Sequence, residues 1–410
     1  METEGWDPLQ PSKFSEDLDD IYGDIIATLE PTAGHSKPLL SLHNGDPSLS
    51  GEFPIHENMK AAVQKVLKMP RNAGYTPSTG TKDSRDALAR HYSTPELTVS
   101  GEDIILTHGT SGALNIILKA FCNPGDNFLM PGPSYPYAAS ISKALKINQR
   151  VYKLNPDADW EADLSHMESL INDSTRFILV NNPASATGGV YSRKHLEDIL
   201  AVADKHKIPL VVDETYSGFC FGASEFVSLT SLAKDIPVIL VGSLANYMAP
   251  GWRLGWMIFF DKNQILSDIK AGCQTLTQIV LHPPSFLQTA LPEILTSVPA
   301  EYYREVVAPK LRANQEILEA LFKKELESFF NYVPAKGGIS TIVLLKKESF
   351  KDIKDETEFC QKLLEEENVM LAPSTALLYE GGFRISLTDK KKSYEEFAER
   401  LREFCNRHAA

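Results

Sequence analysis

The chain has 410 residues, enough for two to three domains of about 150 residues each, and its 43% hydrophobic content supplies ample core. Its 54 Asp and Glu outnumber 41 Lys and Arg, and the formal charge of −13 disfavours nucleic acid and anionic membranes as partners. No apolar run approaches the ~20 residues of a bilayer span, and Met1-Glu2-Thr3-Glu4-Gly5 lacks the parts of a signal peptide, so a cytoplasmic protein is expected.

Residues 1–40 read as an N-terminal arm packed on the body, because Leu18, Ile21, Tyr22, Ile25 and Ile26 recur at helical spacing between Pro, Ser and acidic clusters. From 41 to 300 short apolar runs alternate with helical ones. Ile104 to Thr107, Phe128 to Met130, Phe177 to Val180, Leu210 to Val212 and Val238 to Val241 read as strands buried on both faces of a largely parallel sheet. An α/β fold follows. Residues 301–330 read as one long helix, interrupted at Pro309, that leads into a smaller domain at 301–410. The strands expected there are Gly337 to Leu344, Val369 to Leu371 and Phe383 to Leu387, followed by a helix from Tyr394 to His408. The charge runs Glu365-Glu366-Glu367 and Lys390-Lys391-Lys392 read as solvated faces. Cys122, Cys220, Cys273, Cys360 and Cys405 are odd in number and scattered, so they read as reduced. The sequon Asn172-Asp173-Ser174 is a chance match, and the histidines show no metal-ligand spacing.

Three segments carry chemistry. Asp213 ends the run Leu210-Val211-Val212, at the carboxyl end of a buried strand where open α/β sheets bind ligands, and Tyr216 follows it. Taken alone, an acid there is more often a turn or helix cap than a catalyst. Thr107-His108-Gly109-Thr110-Ser111-Gly112 is a small-residue turn opening a helix, whose unpaired N–H groups and hydroxyls form a phosphate cradle. No nucleotide-binding glycine signature accompanies it. His108 reads as a helix cap beside that turn. Pro250-Gly251-Trp252-Arg253-Leu254-Gly255-Trp256 sets one arginine among glycines and tryptophans, a setting for a phosphate or carboxylate.

This last segment resembles the phosphate-binding stretch of fold-type I pyridoxal-phosphate (PLP) aminotransferases, most closely the tyrosine and aromatic amino acid aminotransferases. Leu42 to Pro47, Gly74 to Gly80, Pro133-Ser134-Tyr135, Val180 to Pro183 and Phe383 to Ser386 are similar to further family segments in the same order, over roughly residues 40 to 405. The resemblance implies a large domain with a mostly parallel seven-stranded sheet between helices, plus a smaller α+β domain to which the N-terminal segment contributes. It implies PLP, held by Asp213 at the ring nitrogen, Tyr216 at the ring oxygen, Tyr135 on the ring face, and Gly109, Thr110, Ser111 and Arg253 at the phosphate. Asn182, Ser185 and Ser243 are also expected at the cofactor. Arg384, with Gly45 and Asn44, is expected to bind the substrate. The family site implies a homodimer in which Tyr75 reaches the partner's phosphate, and amino-acid and 2-oxo acid substrates with 2-oxoglutarate as acceptor.

Two positions depart from the pattern. The family lysine that binds PLP and shuttles the α-proton lies eight residues before the phosphate-binding arginine, and that position here is Ala245. Efficient transamination is therefore not expected. An alanine substituted to trap an external aldimine or bound cofactor is the favoured explanation; a natural, non-catalytic PLP or amino-acid binding protein is the alternative. Ser185 stands where the family has a second asparagine, which leaves room for a carbon–sulfur lyase on the same scaffold. Tyr22 reads as packing rather than as a substrate contact.

Overall fold

The computed structural model describes residues 9–31, 34–70, 73–95, 97–221 and 226–410. Residues 1–8 and 32–33 of the expected arm lie outside them. The arm otherwise forms two short helices, Lys13–Asp17 and Ile21–Ala27, each started by an acceptor side chain, Ser12 and Asp20, that takes a first-turn amide. Strand β1, Leu40–Ser41, follows.

The main sheet contains β2 (Ile104–Thr107), β3 (Asn127–Gly132), β4 (Asn148–Asn155), β5 (Glu161–Ala162), β6 (Thr175–Asn181), β7 (Leu210–Asp213), β8 (Val238–Ser243) and β9 (Gly255–Phe260). Their spatial order is β2-β9-β8-β7-β6-β3-β4-β5. The pairs from β8 through β7, β6 and β3 to β4 are parallel, whereas β9 runs antiparallel to both neighbours. The expected seven strands are present, and the two-residue β5 adds an eighth at the edge.

Side chains alternate across this sheet at every central strand. Phe128 and Met130, Phe177 and Leu179, Val211, Ile239 and Val241 point into one core with the helix Gly109–Phe121. Leu129, Ile178 and Val180, Leu210 and Val212, Val238 and Leu240 point into the other. Both faces are covered, which is why these strands read as unbroken apolar runs.

A second, antiparallel sheet has the order β10-β11-β14-β13 and contains β10 (Phe330–Tyr332), β11 (Ser340–Leu345), β13 (Ala372–Pro373) and β14 (Gly382–Ser386). Strand β12, Val369–Met370, pairs instead with β1, so Leu40 sits beside Val369. The expected long helix is present as an unbroken helical run over 300–325, ending five residues short of 330. It consists of π-helical turns at Tyr303–Val307 and Leu321–Glu325 around an α-helix Ala308–Ala320. Pro309 directly follows the first π turn, so its missing N–H falls where the helix changes hydrogen-bond register. The chain then turns into β10, which the helical reading had absorbed.

Glu367 corrects the solvated-face reading: its side chain is 1% exposed and pairs with Lys37 and Arg407. Lys390, Lys391 and Lys392 are exposed as expected. No cysteine forms a disulfide among the described residues, and no helix there is long and apolar enough to cross a membrane.

Candidate active site

The parallel strands of the main sheet end together, with Asn181, Asp213 and Val241 in register. Outside these carboxyl ends lies a cavity of about 550 Å³, bordered by the main sheet, the arm and the second sheet. A larger cleft of about 830 Å³ opens near β4 around Lys153, Asp163 and Tyr379, and contains none of the residues singled out from the sequence.

One wall of the cavity is the turn into the helix Gly109–Phe121. Gly109 has φ +71, and a Cβ there would lie 2.6 Å from Nη2 of Arg253. Glycine therefore permits both the left-handed backbone and the close guanidinium. Arg253 itself has φ 54, an uncommon conformation for a residue with a side chain. Its Nη2 donates to the His108 carbonyl at 3.0 Å and to Ser111 Oγ at 2.8 Å, while Nη1 donates to the Pro250 carbonyl at 2.9 Å. Thr110 Oγ1 lies 2.9 Å from Thr215 Oγ1 and donates to Ser243 Oγ at 3.3 Å. Hydroxyls, a guanidinium and a helix N-terminus thus converge, an arrangement that suits a multiply charged anion.

The floor is Asp213. Its Oδ1 accepts from the Thr215 amide at 3.0 Å, and burial pushes the carboxyl above its ordinary range while Thr215 pulls it back. No cation pairs with it among the described residues. Next to it, Glu214 is 6% exposed, accepts from the Leu229 amide at 2.9 Å and Ser228 Oγ at 3.0 Å, and is pushed up to about 7 by burial. Burial likewise drives the Tyr216 phenol to about 12, against the pull of Arg384.

Arg384 stands on β14, opposite Ile342 of β11, and is 7% exposed. Its Nε is buried without a partner, and no carboxylate pairs with it among the described residues. A Cβ on Gly45 would lie 2.5 Å from its Nη2, so glycine is what lets the guanidinium occupy this place. A buried arginine without a counter-ion is a receptor for a carboxylate.

Ala245 lies in the short turn Leu244–Tyr247, where its amide donates to Ser243 Oγ at 3.3 Å, and it lines the cavity. Among the described residues no lysine lines that cavity. Lys262 lies on the surface with Asp235, 2.8 Å away. Asn246 turns away from the opening, accepting from the Gly218 amide at 3.0 Å.

Asn44, Gly45, Thr110, Ser111, Tyr135, Ser185, Asp213, Tyr216, Ser243, Ala245, Arg253 and Arg384 therefore meet at one cavity. Gly109 lies behind Arg253 rather than on the surface of the cavity. Tyr75 is 90% exposed, against His282, and is not part of this chain's cavity.

Asn182 is a correction. It is fully buried, and its Oδ1 accepts from the Tyr191 amide at 2.9 Å, on the far side of the strand end. Its neighbour Asn181 faces the cavity instead, accepting from the Ser185 amide at 2.7 Å and donating to the Asp213 carbonyl at 3.1 Å. The period-two alternation of an extended chain separates the two. His108 occupies the N-cap position of the helix as expected, but its side chain makes no cap hydrogen bond and its carbonyl serves Arg253. Tyr22 packs against the core as expected and also lines the cavity, with its ring centroid 5.8 Å from that of Tyr135.

Residues 37–401 match the family described as aminotransferase class I and II. The chain is 31% identical over 404 residues to the tyrosine aminotransferase of Mus musculus, covering 98% of this chain and 88% of that one. Among solved structures, the tyrosine aminotransferase from Leishmania infantum superposes with a TM-score of 0.94 at 27% identity, covering 99% of this chain and 100% of that one. The alanine aminotransferase from Pyrococcus furiosus superposes with a TM-score of 0.91 at 27% identity, covering 97% and 100%. With its fold and nearly its whole length in common with them, the chain belongs to the class I and II aminotransferases, a PLP-dependent family.

Proposed function

We propose that the cavity binds PLP together with an aromatic L-amino acid, on the plan of an aminotransferase whose acceptor is 2-oxoglutarate, and that this chain holds the pair without efficient amino transfer. One observation carries this reading: Asp213, Arg253 and Arg384, none with an ion-pair partner among the described residues, face a single cavity that no lysine lines.

The donor set fits the cofactor. When bound, PLP supplies an electron sink for the bonds at the amino acid's α-carbon. Asp213 gains from a pyridinium N–H the cation that its burial demands. Arg253, Ser111, Thr110 and the helix N-terminus behind Gly109 receive the phosphate. Tyr135 would cover the ring face, Tyr216 would donate toward the ring oxygen, and the Ser185 hydroxyl would serve the same oxygen with a shorter reach than an asparagine amide. Ser243 steadies the phosphate turn through Thr110. Arg384 takes the α-carboxylate bidentately beside Gly45 and Asn44, which turns the α C–H toward the place of Ala245. A methyl group there accepts no proton, so the step that needs a base has none from this position. The aromatic preference draws on the tyrosine aminotransferase relatives and on a cavity that includes the rings of Tyr22, Tyr135 and Tyr137.

A homodimer belongs to the same reading, with Tyr75 reaching into the partner's site. Tyr75, Ile279 and Val280, at 90%, 65% and 63% exposure, form the apolar surface that a second copy would cover.

An absorbance titration with PLP followed by borohydride reduction and dialysis tests this reading. Saturable binding that leaves the cavity unlabelled is expected, because among the described residues no lysine lines it to be reduced onto the cofactor. A stable lysine adduct at the cavity, or no saturable binding, would overturn it.

A further inference from the structure

The cleft of about 830 Å³ stands apart from the cavity of Asp213 and Arg384, yet it too lies at the carboxyl ends of parallel strands, those of β3 and β4. Two of its residues face each other across β4 and β5. The register Leu154↔Ala162 and Asn155↔Glu161 sets Lys153 opposite Asp163, and the Asp163 amide donates to the Lys153 carbonyl at 2.9 Å. Residues opposite each other on antiparallel strands put their side chains on one face, where opposite charges ordinarily pair. Here no ion pair joins them among the described residues: Asp163 accepts from the His166 amide at 2.9 Å instead, and both side chains line the cleft. Another wall is the turn Ser374–Leu377 with Leu378 and Tyr379. Thr375 brings to it a hydroxyl oxygen that is buried without a partner, and the Tyr379 ring stands edge to face with buried Trp160, centroids 5.7 Å apart. Glu380 completes the charges, one ammonium against two carboxylates. A plain anion meets net repulsion there and a plain cation meets Lys153, whereas a molecule that bears both charges finds a partner for each.

We propose that this cleft is a second ligand site, for a free α-amino acid: the Lys153 ammonium takes the α-carboxylate, the Asp163 carboxylate takes the α-ammonium, and the Tyr379 ring packs on the side chain. The two sites share a wall. Gly132 and Leu378 line the cleft, whereas Ser134, Tyr135 and Leu377 line the cavity, and the Ser134 amide donates to the Leu377 carbonyl at 2.9 Å. Gly132 fits this junction because it has no side chain: a Cβ there would lie 3.1 Å from the Leu378 carbonyl oxygen. An amino acid in the cleft therefore rests against the two turns that the cavity also uses.

The test loads the full chain with the stable secondary amine N-phosphopyridoxyl-L-phenylalanine, intended to fill the cavity of Asp213 and Arg384, and follows para-fluoro-L-phenylalanine by fluorine NMR line broadening. Saturable broadening is expected, with affinity weakened about fivefold by Lys153→Gln and by Asp163→Asn, the scale of one exposed ion pair. Both residues are exposed, and asparagine still caps the His166 amide, so neither variant threatens the fold. The analogues para-fluorophenethylamine, which lacks the carboxylate, and para-fluorohydrocinnamate, which lacks the amine, are each expected to bind about fivefold more weakly than the amino acid. Slowed amide exchange across residues 374–379 is expected to locate the ligand. No saturable broadening, an affinity that either substitution leaves unchanged, a one-charge analogue that binds as tightly as the amino acid, or protection confined to other segments would overturn the second site. Failure of the secondary amine itself to bind counts against the reading of the first cavity alone, because Lys153→Gln and Asp163→Asn report on the cleft.

Discussion

Asp213 is a carboxylate held in a place that raises the free energy of its charge; Thr215 relieves part of that cost, and a bound cation would relieve more. Asp213→Asn is therefore expected to lower PLP affinity at least about tenfold, read by equilibrium dialysis, since the amide cannot pair with a pyridinium N–H as a charge. Unchanged affinity would remove Asp213 from the ring nitrogen. Glu214 makes a different prediction. Its folded pKa of about 7 lies above the ordinary carboxylate range, so the folded state binds the proton more tightly than the unfolded state. Stability is then fully present below about pH 4 and falls as pH rises toward and through 7, by on the order of 3 kcal/mol. Glu214→Gln should flatten that fall in urea denaturation measured between pH 5 and 8, and a profile as steep as the unaltered chain's would contradict the assignment. At this scale the sequence was readable where motifs were rigid: Asp213, Arg253 and Arg384 meet as the resemblance implied. It was not readable at Asn182, because adjacent residues of an extended chain differ only in the face they present. Nor was it readable at Tyr22, which reaches the cavity only through where the helix Ile21–Ala27 packs on the body.

Among the elements, the central strands were legible because burial on both faces demands continuous apolar sequence. Phe177 to Val180 and Val238 to Val241 each alternate between two cores. Ile239→Ala is expected to cost about 2–5 kcal/mol by urea unfolding, the transfer and cavity cost of a fully buried aliphatic chain. A cost below 1 kcal/mol would show that the sheet's covered face is loosely packed. Strand β4 escaped notice because Asn148-Gln149-Arg150 opens it with polar residues on an exposed edge. Strand β10 was hidden by the helix-forming residues before it, whose π turn at Leu321–Glu325 ends the helix five residues earlier than propensity alone suggests. Gly109 shows how an element's start serves the site. Gly109→Ala brings a Cβ to 2.6 Å from Arg253 at φ +71, so it should cost about 1–2 kcal/mol in backbone strain and also lower PLP affinity. Loss of stability without loss of affinity would separate the turn from the phosphate.

On the scale of the whole molecule, the cavity draws on the arm, the main sheet and the second sheet together, through Tyr22, Asp213 and Arg384. In the proposed homodimer the exposed surface around Tyr75 and Ile279 would meet a second copy, and sedimentation of the PLP-loaded chain is expected to give a dimer, with monomer alone contradicting it. The central claim is that the site keeps its binding groups and lacks only the base. Its most direct test is 2-oxo acid formation from L-tyrosine, with PLP and 2-oxoglutarate, by the unaltered chain and by Ala245→Lys. The account predicts that the lysine variant turns over at least about a hundredfold faster, the range of a positioned acid–base group. Equal rates in the two proteins, whether both active or both inert despite bound PLP, would contradict it.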